Sequence, residues 1–365
     1  MIYHPLGPSG VKISAIGFGS MRWPSEELCA AILKHGIEFG MNYVDTSTGY
    51  VGGLSEKWTG RAVRSRRDAI YVSSKAHFGR APRADDIRAA IEGSLRATGL
   101  TYFDFYQLWG LGSTATLKAA LARGGFLEGV RKAQNDGLVR HGVGFTFHGP
   151  PETFRAAVDC GEFLSATVSY NLLNRQEEGN IAYAAERGVA IIVMNPLAGG
   201  VLGLAGDASL DFLRASGAGP AHGALRFLLA NPGIATSIVG YRARDEVDQA
   251  VAALQGAEAL TEQDRQAFIR RMETATLPEG RFCTGCGYCK DCPSKVDVPK
   301  FMEAMRDFQR YGVPAERLAE WVHSKYAHMD PVRHLDACTA CGRCEATCPQ
   351  HLSIVDSIRR VRAVL

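Results

Sequence analysis

From residue 14 to about residue 255, short runs of β-branched and aromatic residues alternate with longer segments of helical period. The runs are SAIGF (14 to 18), NYVDT (42 to 46), AIYVSS (69 to 74), FDFYQL (103 to 108), HGVGF (141 to 145), SATVSY (165 to 170), AIIVM (190 to 194) and ATSIV (235 to 239). Alternation of this kind predicts βα units and a parallel sheet. Eight such strands fit a closed (β/α)8 TIM barrel. The intervening helices are legible in SEELCAAILKHGIEF, RADDIRAAIEGSLRAT, TLKAALARGGFLEGVRKAQN and ARDEVDQAVAAL, where apolar residues recur three and four apart with polar residues between them. Ahead of the first strand, IYHPLGPSGVKIS holds a Gly-Pro-Ser-Gly turn between two extended runs, expected to form a hairpin closing the barrel bottom.

After a helix expected at 261 to 272, the stretch ETATLPEGRF loses periodicity and gains Pro and Gly. This places a domain boundary near residue 275, with the barrel over 1–275 and a small, mostly helical unit over 276–365. The second unit carries two cysteine motifs separated by the helical spacers VPKFMEAMRDFQRY and ERLAEWVHSKYA. Of the 365 residues 46% are hydrophobic, enough for one large core and a lesser one. The 41 basic and 38 acidic side chains are scattered, without the basic stripe that a nucleic-acid partner requires. No segment approaches the roughly 18 to 20 apolar residues of a membrane span, and the N-terminal stretch has no leader pattern, so a cytoplasmic location is expected.

Eight of the ten cysteines fall in two dense motifs, Cys283-x2-Cys286-x2-Cys289-x2-Cys292-Pro293 and Cys338-x2-Cys341-x2-Cys344-x3-Cys348-Pro349. In a chain of this size that is metal-site spacing in a reducing compartment, not a disulfide frame. Three thiolates two residues apart can wrap one cubane, while a fourth cysteine followed by proline turns toward the other cluster. The expectation is two [4Fe-4S] clusters, one on Cys283, Cys286, Cys289 and Cys348, the other on Cys338, Cys341, Cys344 and Cys292. Only Lys290 and Asp291 separate Cys289 from Cys292, one residue short of the usual gap, which leaves the fourth ligand open. Two four-thiolate zinc sites are the competing reading, although zinc motifs usually set two CxxC pairs further apart. Cys29 and Cys160 lie in helix-like stretches and read as buried free thiols.

In an α/β barrel the chemistry gathers where strands end and βα loops begin. Asp45 closes the second run, Tyr50 follows in its loop, and Lys75 closes the third. A buried lysine beside a phenol favours the phenolate, and a carboxylate paired with that lysine keeps it protonated and oriented. A tyrosine so placed can exchange a proton near neutral pH, as carbonyl reduction requires.

The ordered segments LGPSGVKISAIGFGSM, NYVDTSTGY, YVSSK, YFDFYQLWG, GVGFTFHG, YNLLNR, NPLAGG, CTGCGYCKDCP and CTACGRCEATCP resemble the aldo-keto reductase family, in its bacterial branch with a fused C-terminal ferredoxin-type domain. That resemblance implies that Tyr50 is the proton donor, that Lys75 lowers its pKa and that Asp45 pairs with Lys75. The family's YQLH ends in a histidine that binds the carbonyl oxygen, whereas this chain has Trp109 there. Indole donates one hydrogen bond and cannot carry a proton charge. Altered chemistry, a stacking surface for a flat substrate, and a filled, degenerate site are the alternatives. His77, two residues beyond Lys75, and His148, after the fifth run, are the candidates to replace the missing imidazole.

No GxGxxG follows a strand, which speaks against a Rossmann domain. The resemblance instead implies NAD(P)H extended across the barrel mouth, with Thr146 and Asn171 near the nicotinamide. It puts Pro196, Leu197 and Gly199 at the phosphates, and Gly240 with Arg242 or Arg244 at the adenine end. The family's glutamine before the YN pair is Thr167 here, its stacking aromatic is Met194, and its Glu-Asn is Gln249-Ala250. Three functions compete: an NAD(P)H-dependent oxidoreductase acting on a small carbonyl or alcohol, a ferredoxin-linked redox enzyme whose barrel mouth could host a flavin, and a non-catalytic electron-transfer subunit. A nicotinamide moves two electrons as hydride and clusters move one, so coupling them usually requires an intermediary such as flavin.

Overall fold

A computed structural model describes residues 1–204, 208–214, 218–273, 283–310, 315–326 and 330–365. They form two compact units, Met1–Leu197 with Leu202–Met272, and Ala198–Val201 with Glu273–Leu365. The boundary expected near residue 275 falls within 274–282, outside the described residues.

In the first unit, β1 (Tyr3–Pro5) and β2 (Lys12–Ser14) pair antiparallel. Eight parallel strands close the barrel: β3 (Ile16–Gly19), β4 (Tyr43–Asp45), β5 (Tyr71–His77), β6 (Phe103–Leu111), β7 (Val139–Phe147), β8 (Ser165–Ser169), β9 (Ala190–Met194) and β10 (Ile234–Val239). Each run expected from the sequence contains or overlaps one of them. β5, β6 and β7 reach further toward the mouth than the sequence runs suggested, and this carries His77, Trp109 and Thr146 on strand backbone, with an irregularity in β6 beside Trp109 where Gly110 takes φ +91°.

The helices follow their capping chemistry. Glu26–Glu38 starts at Ser25, whose hydroxyl accepts from the Leu28 N–H, and Ala84–Thr98 ends at Gly99 in the left-handed conformation. The segment TLKAALARGGFLEGVRKAQN, read as one helix, is two, Thr114–Leu121 and Phe126–Asn135. Gly124 takes φ +73° between them, and the helical period alone does not register that interruption.

The hairpin closes the end of the barrel where the strands begin. Leu6, Val11 and Ile13 pack against Tyr43, Phe105, Leu164, Ala190, Ile192 and Ala235 in one buried cluster. Gly7 at its turn has φ +55°, and a Cβ there would lie 2.3 Å from the Leu164 carbonyl oxygen. Both the backbone angle and the close approach therefore require glycine.

The second unit is helical, with Val298–Arg310, Leu318–Lys325, Pro331–Asp336, Arg343–Ala346 and Ile354–Arg362. Val298, Phe301, Val322, Leu335, Ile354 and Ile358 form its apolar core, with Cys348 among the buried members. The Trp321 indole N–H donates to the Ala304 carbonyl at 2.8 Å and ties the two spacer helices together. Cys29 is buried, as expected of a core thiol; Cys160 corrects the same expectation, being only half-buried at the C-cap of Pro151–Asp159. Among the described residues no helix is long and apolar enough to cross a membrane.

Replacing Gly7 by alanine is expected to destabilise the barrel by about 2 kcal/mol, from the left-handed penalty and the forced retreat of Leu164. Urea unfolding followed by circular dichroism checks this, and an unchanged midpoint would refute the tight seal.

Candidate functional site

The floor of the barrel mouth is a buried ion pair. Lys75 on β5 donates to Asp45 Oδ1 at the end of β4, and also to the Thr46 carbonyl at 3.1 Å. Each side chain is only 2% exposed. Taking two ions out of water costs several kcal/mol apiece, so the pair is tolerable only when the remaining polar atoms are also satisfied. Gln107 on β6 does this for Asp45, its amide nitrogen donating to Oδ2 at 2.6 Å and to Ser73 Oγ at 2.9 Å. Its carbonyl end accepts from the Thr167 hydroxyl at 2.7 Å.

Tyr50 lies in the loop after β4, where Val51 takes φ +51° and Gly52 and Gly53 follow with positive φ. That tight turn leaves Lys75 Nζ 4.7 Å from the centre of the phenol ring. Asp45, Tyr50 and Lys75 are thus brought together. Trp109 stands edge-to-face with the Tyr50 ring at 6.1 Å between centres, and likewise with His77 at 5.6 Å. It forms a wall between them, with its distal edge near Gly49. His77 pairs in register with Trp109, so each follows its strand to the rim. Its Nδ1 accepts from the Gly79 N–H at 3.1 Å, which puts the ring proton of the neutral form on Nε2. Burial and the nearby Arg80 lower its pKa and favour that neutral form. His148 follows β7, its backbone N–H donating to the Leu111 carbonyl at 3.3 Å.

The residues expected at the nucleotide are distributed along the ends of the later strands. Thr146 sits at the end of β7, its hydroxyl accepting from the Gly110 N–H at 3.0 Å. Asn171 is buried after β8; its oxygen accepts from the Leu173 and Asn174 N–H groups at 3.0 Å, and its amide donates to the Asn195 carbonyl. Much of that side chain's hydrogen-bonding capacity therefore goes into loop structure. Pro196 is buried and Leu197 half-buried after β9, and Gly199 takes φ +71° in the following turn. Gly240 follows β10, and Arg242 and Arg244 are exposed at the start of Arg244–Ala252.

In the second unit, one cavity is lined by Cys292, Cys338, Cys341 and Cys344, and another by Cys283, Cys286 and Cys348; Cys289 lines both. Gly285, Gly287 and Gly342 turn the chain between ligand positions with positive φ, and the Gly285 N–H donates to Cys283 Sγ at 3.4 Å. Burial pushes the Cys283 thiol up to about 11 and Cys289 up to about 12, so both need a neighbouring cation to ionise. Asp291 also lines the first cavity, while the second has no carboxylate or imidazole on its lining; four thiols in a set suit a cubane, each sulfur binding its own iron. Among the described residues no three His, Cys, Asp or Glu side chains converge on a point that could hold one ion.

The aldo/keto reductase family model matches residues 15–268. The chain belongs to the aldo/keto reductase family. A 4Fe-4S dicluster domain model matches residues 282–353, so this aldo/keto reductase carries a C-terminal domain of that type. Its relatives include an "Uncharacterized oxidoreductase YqkF" of Bacillus subtilis, 27% identical over 212 residues that cover 54% of this chain and 65% of that protein. Another is the L-galactose dehydrogenase of Arabidopsis thaliana, 26% identical over 314 residues covering 75% of this chain and 96% of that one. Among solved structures, the holo form of a Bacillus halodurans aldo-keto reductase matches with TM-score 0.63 and 26% identity over 74% of this chain and 96% of that chain. A Klebsiella pneumoniae aldo-keto reductase solved with NADPH matches with TM-score 0.59 at 23% identity, over 74% and 96%, which shows the shared fold. The chain is an oxidoreductase of this family.

Reading the sequence did not single out Gln107, Ser73 or Thr46 as members of the site. The signal was available in part: Ser73, Lys75 and Gln107 are polar residues at alternate, inward positions of otherwise apolar strands. Asp45→Leu is expected to strand the Lys75 charge and lower barrel stability by about 3–5 kcal/mol, as measured by denaturant unfolding. A loss below about 1 kcal/mol, the worth of an ordinary hydrogen bond, would mean that the pair is not ionic.

Proposed function

We propose that the chain is an NAD(P)H-dependent oxidoreductase that interconverts a small carbonyl compound and its alcohol at Tyr50, with two [4Fe-4S] clusters in the C-terminal unit. The observation that carries this reading is the buried Lys75–Asp45 pair with the Lys75 charge 4.7 Å from the Tyr50 ring. A positive charge there stabilises the phenolate, so the phenol can release its proton to a developing alkoxide and recover it afterwards. Nicotinamide supplies the hydride when bound. Thr146, Asn171, Pro196, Leu197, Gly199, Gly240, Arg242 and Arg244 are the residues that would hold it. The exposed Arg242 and Arg244 guanidinium groups suit a 2′-phosphate and lean the choice toward NADPH.

Trp109 changes what the carbonyl oxygen meets. Its indole can donate one hydrogen bond and offers an apolar face, which favours a flat substrate over a small polar one. Cys283, Cys286, Cys289 and Cys348 would hold one cluster, and Cys292, Cys338, Cys341 and Cys344 the other. The two cavities group the other seven cysteines this way, and the spacing of the first motif assigns Cys289, which lines both. Such thiolate chemistry fits a reducing, cytoplasmic setting. The dicluster domain also favours a second reading, in which a ferredoxin-like partner exchanges single electrons with the clusters and a flavin at the mouth couples them to the two-electron step.

Anaerobically purified protein is expected to be brown and to contain about eight iron and eight sulfide per chain, with Cys341→Ser losing about half. Zinc in a colourless sample would sink the cluster assignment. Tyr50→Phe is expected to cut NADPH-dependent reduction of a panel of aromatic aldehydes by about 10²-fold or more with the cluster spectrum intact. Full activity in that variant would remove Tyr50 from the reaction, and flavin in the released-cofactor fraction would favour the second reading.

A further inference from the structure

A single hydrogen-bonded chain runs through the barrel interior from Lys75 on β5, through Asp45 on β4 and Gln107 on β6, to Thr167 on β8. All four residues are at most 2% exposed. Its polarity is fixed by chemistry: Asp45 next to an ammonium group is an acceptor, so the amide end of Gln107 must face it, leaving the carbonyl end for the Thr167 hydroxyl. The second hydrogen of that amide goes to Ser73, so the three bonds together hold the Gln107 amide plane in one orientation.

Of the other ionisable groups near the pair, Glu56 feels the Lys75 charge, which opposes the upward push of burial on its carboxyl, but neither it nor Tyr43, Asp104 or His77 is bonded to the ammonium. Burial and the Asp45 charge push the Tyr43 phenol up, so it stays protonated. Glu56, on helix Ser55–Val63, is raised by burial and accepts from the Ser74 hydroxyl at 2.6 Å. Asp104 on β6 is paired with Arg67 at 2.5 Å, and His77 is held toward its neutral form. Asp45 is the counter-ion in direct contact, and its ionisation depends on what its second oxygen meets. If Oδ2 faced an apolar wall, the carboxylate could take the proton from Lys75, leaving two neutral groups and no charge beside Tyr50.

We infer that Gln107, held by Thr167, is a positioning residue that keeps Asp45 ionised and aimed at Lys75, and thereby maintains the positive charge acting on the Tyr50 phenol. The inference rests on the reading of Tyr50 as proton donor, and the test separates the two. The full chain with its clusters is prepared with 13Cζ-labelled tyrosine, and Tyr50 is titrated by NMR, its resonance assigned by its loss in Tyr50→Phe. In the unmodified chain Tyr50 is expected to titrate about one pH unit or more below the usual tyrosine value of about 10. The near-isosteric Gln107→Met is expected to return it most of the way, and Thr167→Val to move it part-way in the same direction. Circular dichroism and the cluster absorbance check that the variants fold, and if Gln107→Met does not, Thr167→Val carries the test alone. A depressed Tyr50 value that stays in place in the folded variants overturns the role of Gln107 and leaves the proton donor standing. An ordinary Tyr50 value in the unmodified chain overturns the activated phenol, and the inference with it.

Discussion

The first unit is organised around one expensive choice, a lysine ammonium placed in the interior of a parallel barrel. Lys75 needs a carboxylate in contact, and Asp45 at the end of the neighbouring strand supplies it. That carboxylate in turn needs donors for its free oxygen, which is why Gln107, Ser73 and Thr167 occupy inward positions that apolar residues fill elsewhere in such barrels. A half-satisfied network of this kind would be worse than an apolar core, so its members stand or fall together. The rim rests on this interior as well, since Lys75 Nζ lies 4.7 Å from the centre of the Tyr50 ring.

The rim itself is built from longer strands than the sequence runs implied. Because β5 and β6 continue in register to His77 and Trp109, the two rings meet edge-to-face, and the indole also contacts Tyr50. Trp109 therefore has a structural place in an aromatic row as well as occupying a position where the family has histidine. His77 and Tyr50 each pack edge-to-face against that indole. The neutral form of His77, with its proton on Nε2, has a donor available at the rim.

Most of the architecture was legible from residue pattern. Strand runs bounded by Gly, Asn and Asp gave all eight barrel strands, and the Gly-Pro-Ser-Gly turn gave the sealing hairpin, because period and turn chemistry are local properties. The broken helix around Gly124 was not legible, since the residues on either side keep a helical period that does not reveal the reversal between them. Asp45, Tyr50 and Lys75 could be picked out as polar residues at strand ends. Gln107 shows in the pattern only as an inward polar residue, and its role does not, because its partners lie 62 residues upstream and 60 downstream in sequence, a pairing that only barrel closure creates. The cysteine motifs announced their ligand type, while the sets that share a cavity depend on how the spacer helices return the second motif to the first.

The seal made by Leu6, Val11 and Ile13 turns the barrel into a cup with one open end. The base is held by apolar packing of the hairpin against the strand starts around Gly7, and the mouth by the polar network around Lys75, so the two ends rely on different kinds of contact. A change at the lip, such as one at Trp109, leaves the apolar seal of the base untouched, because the two share no contact in that cluster.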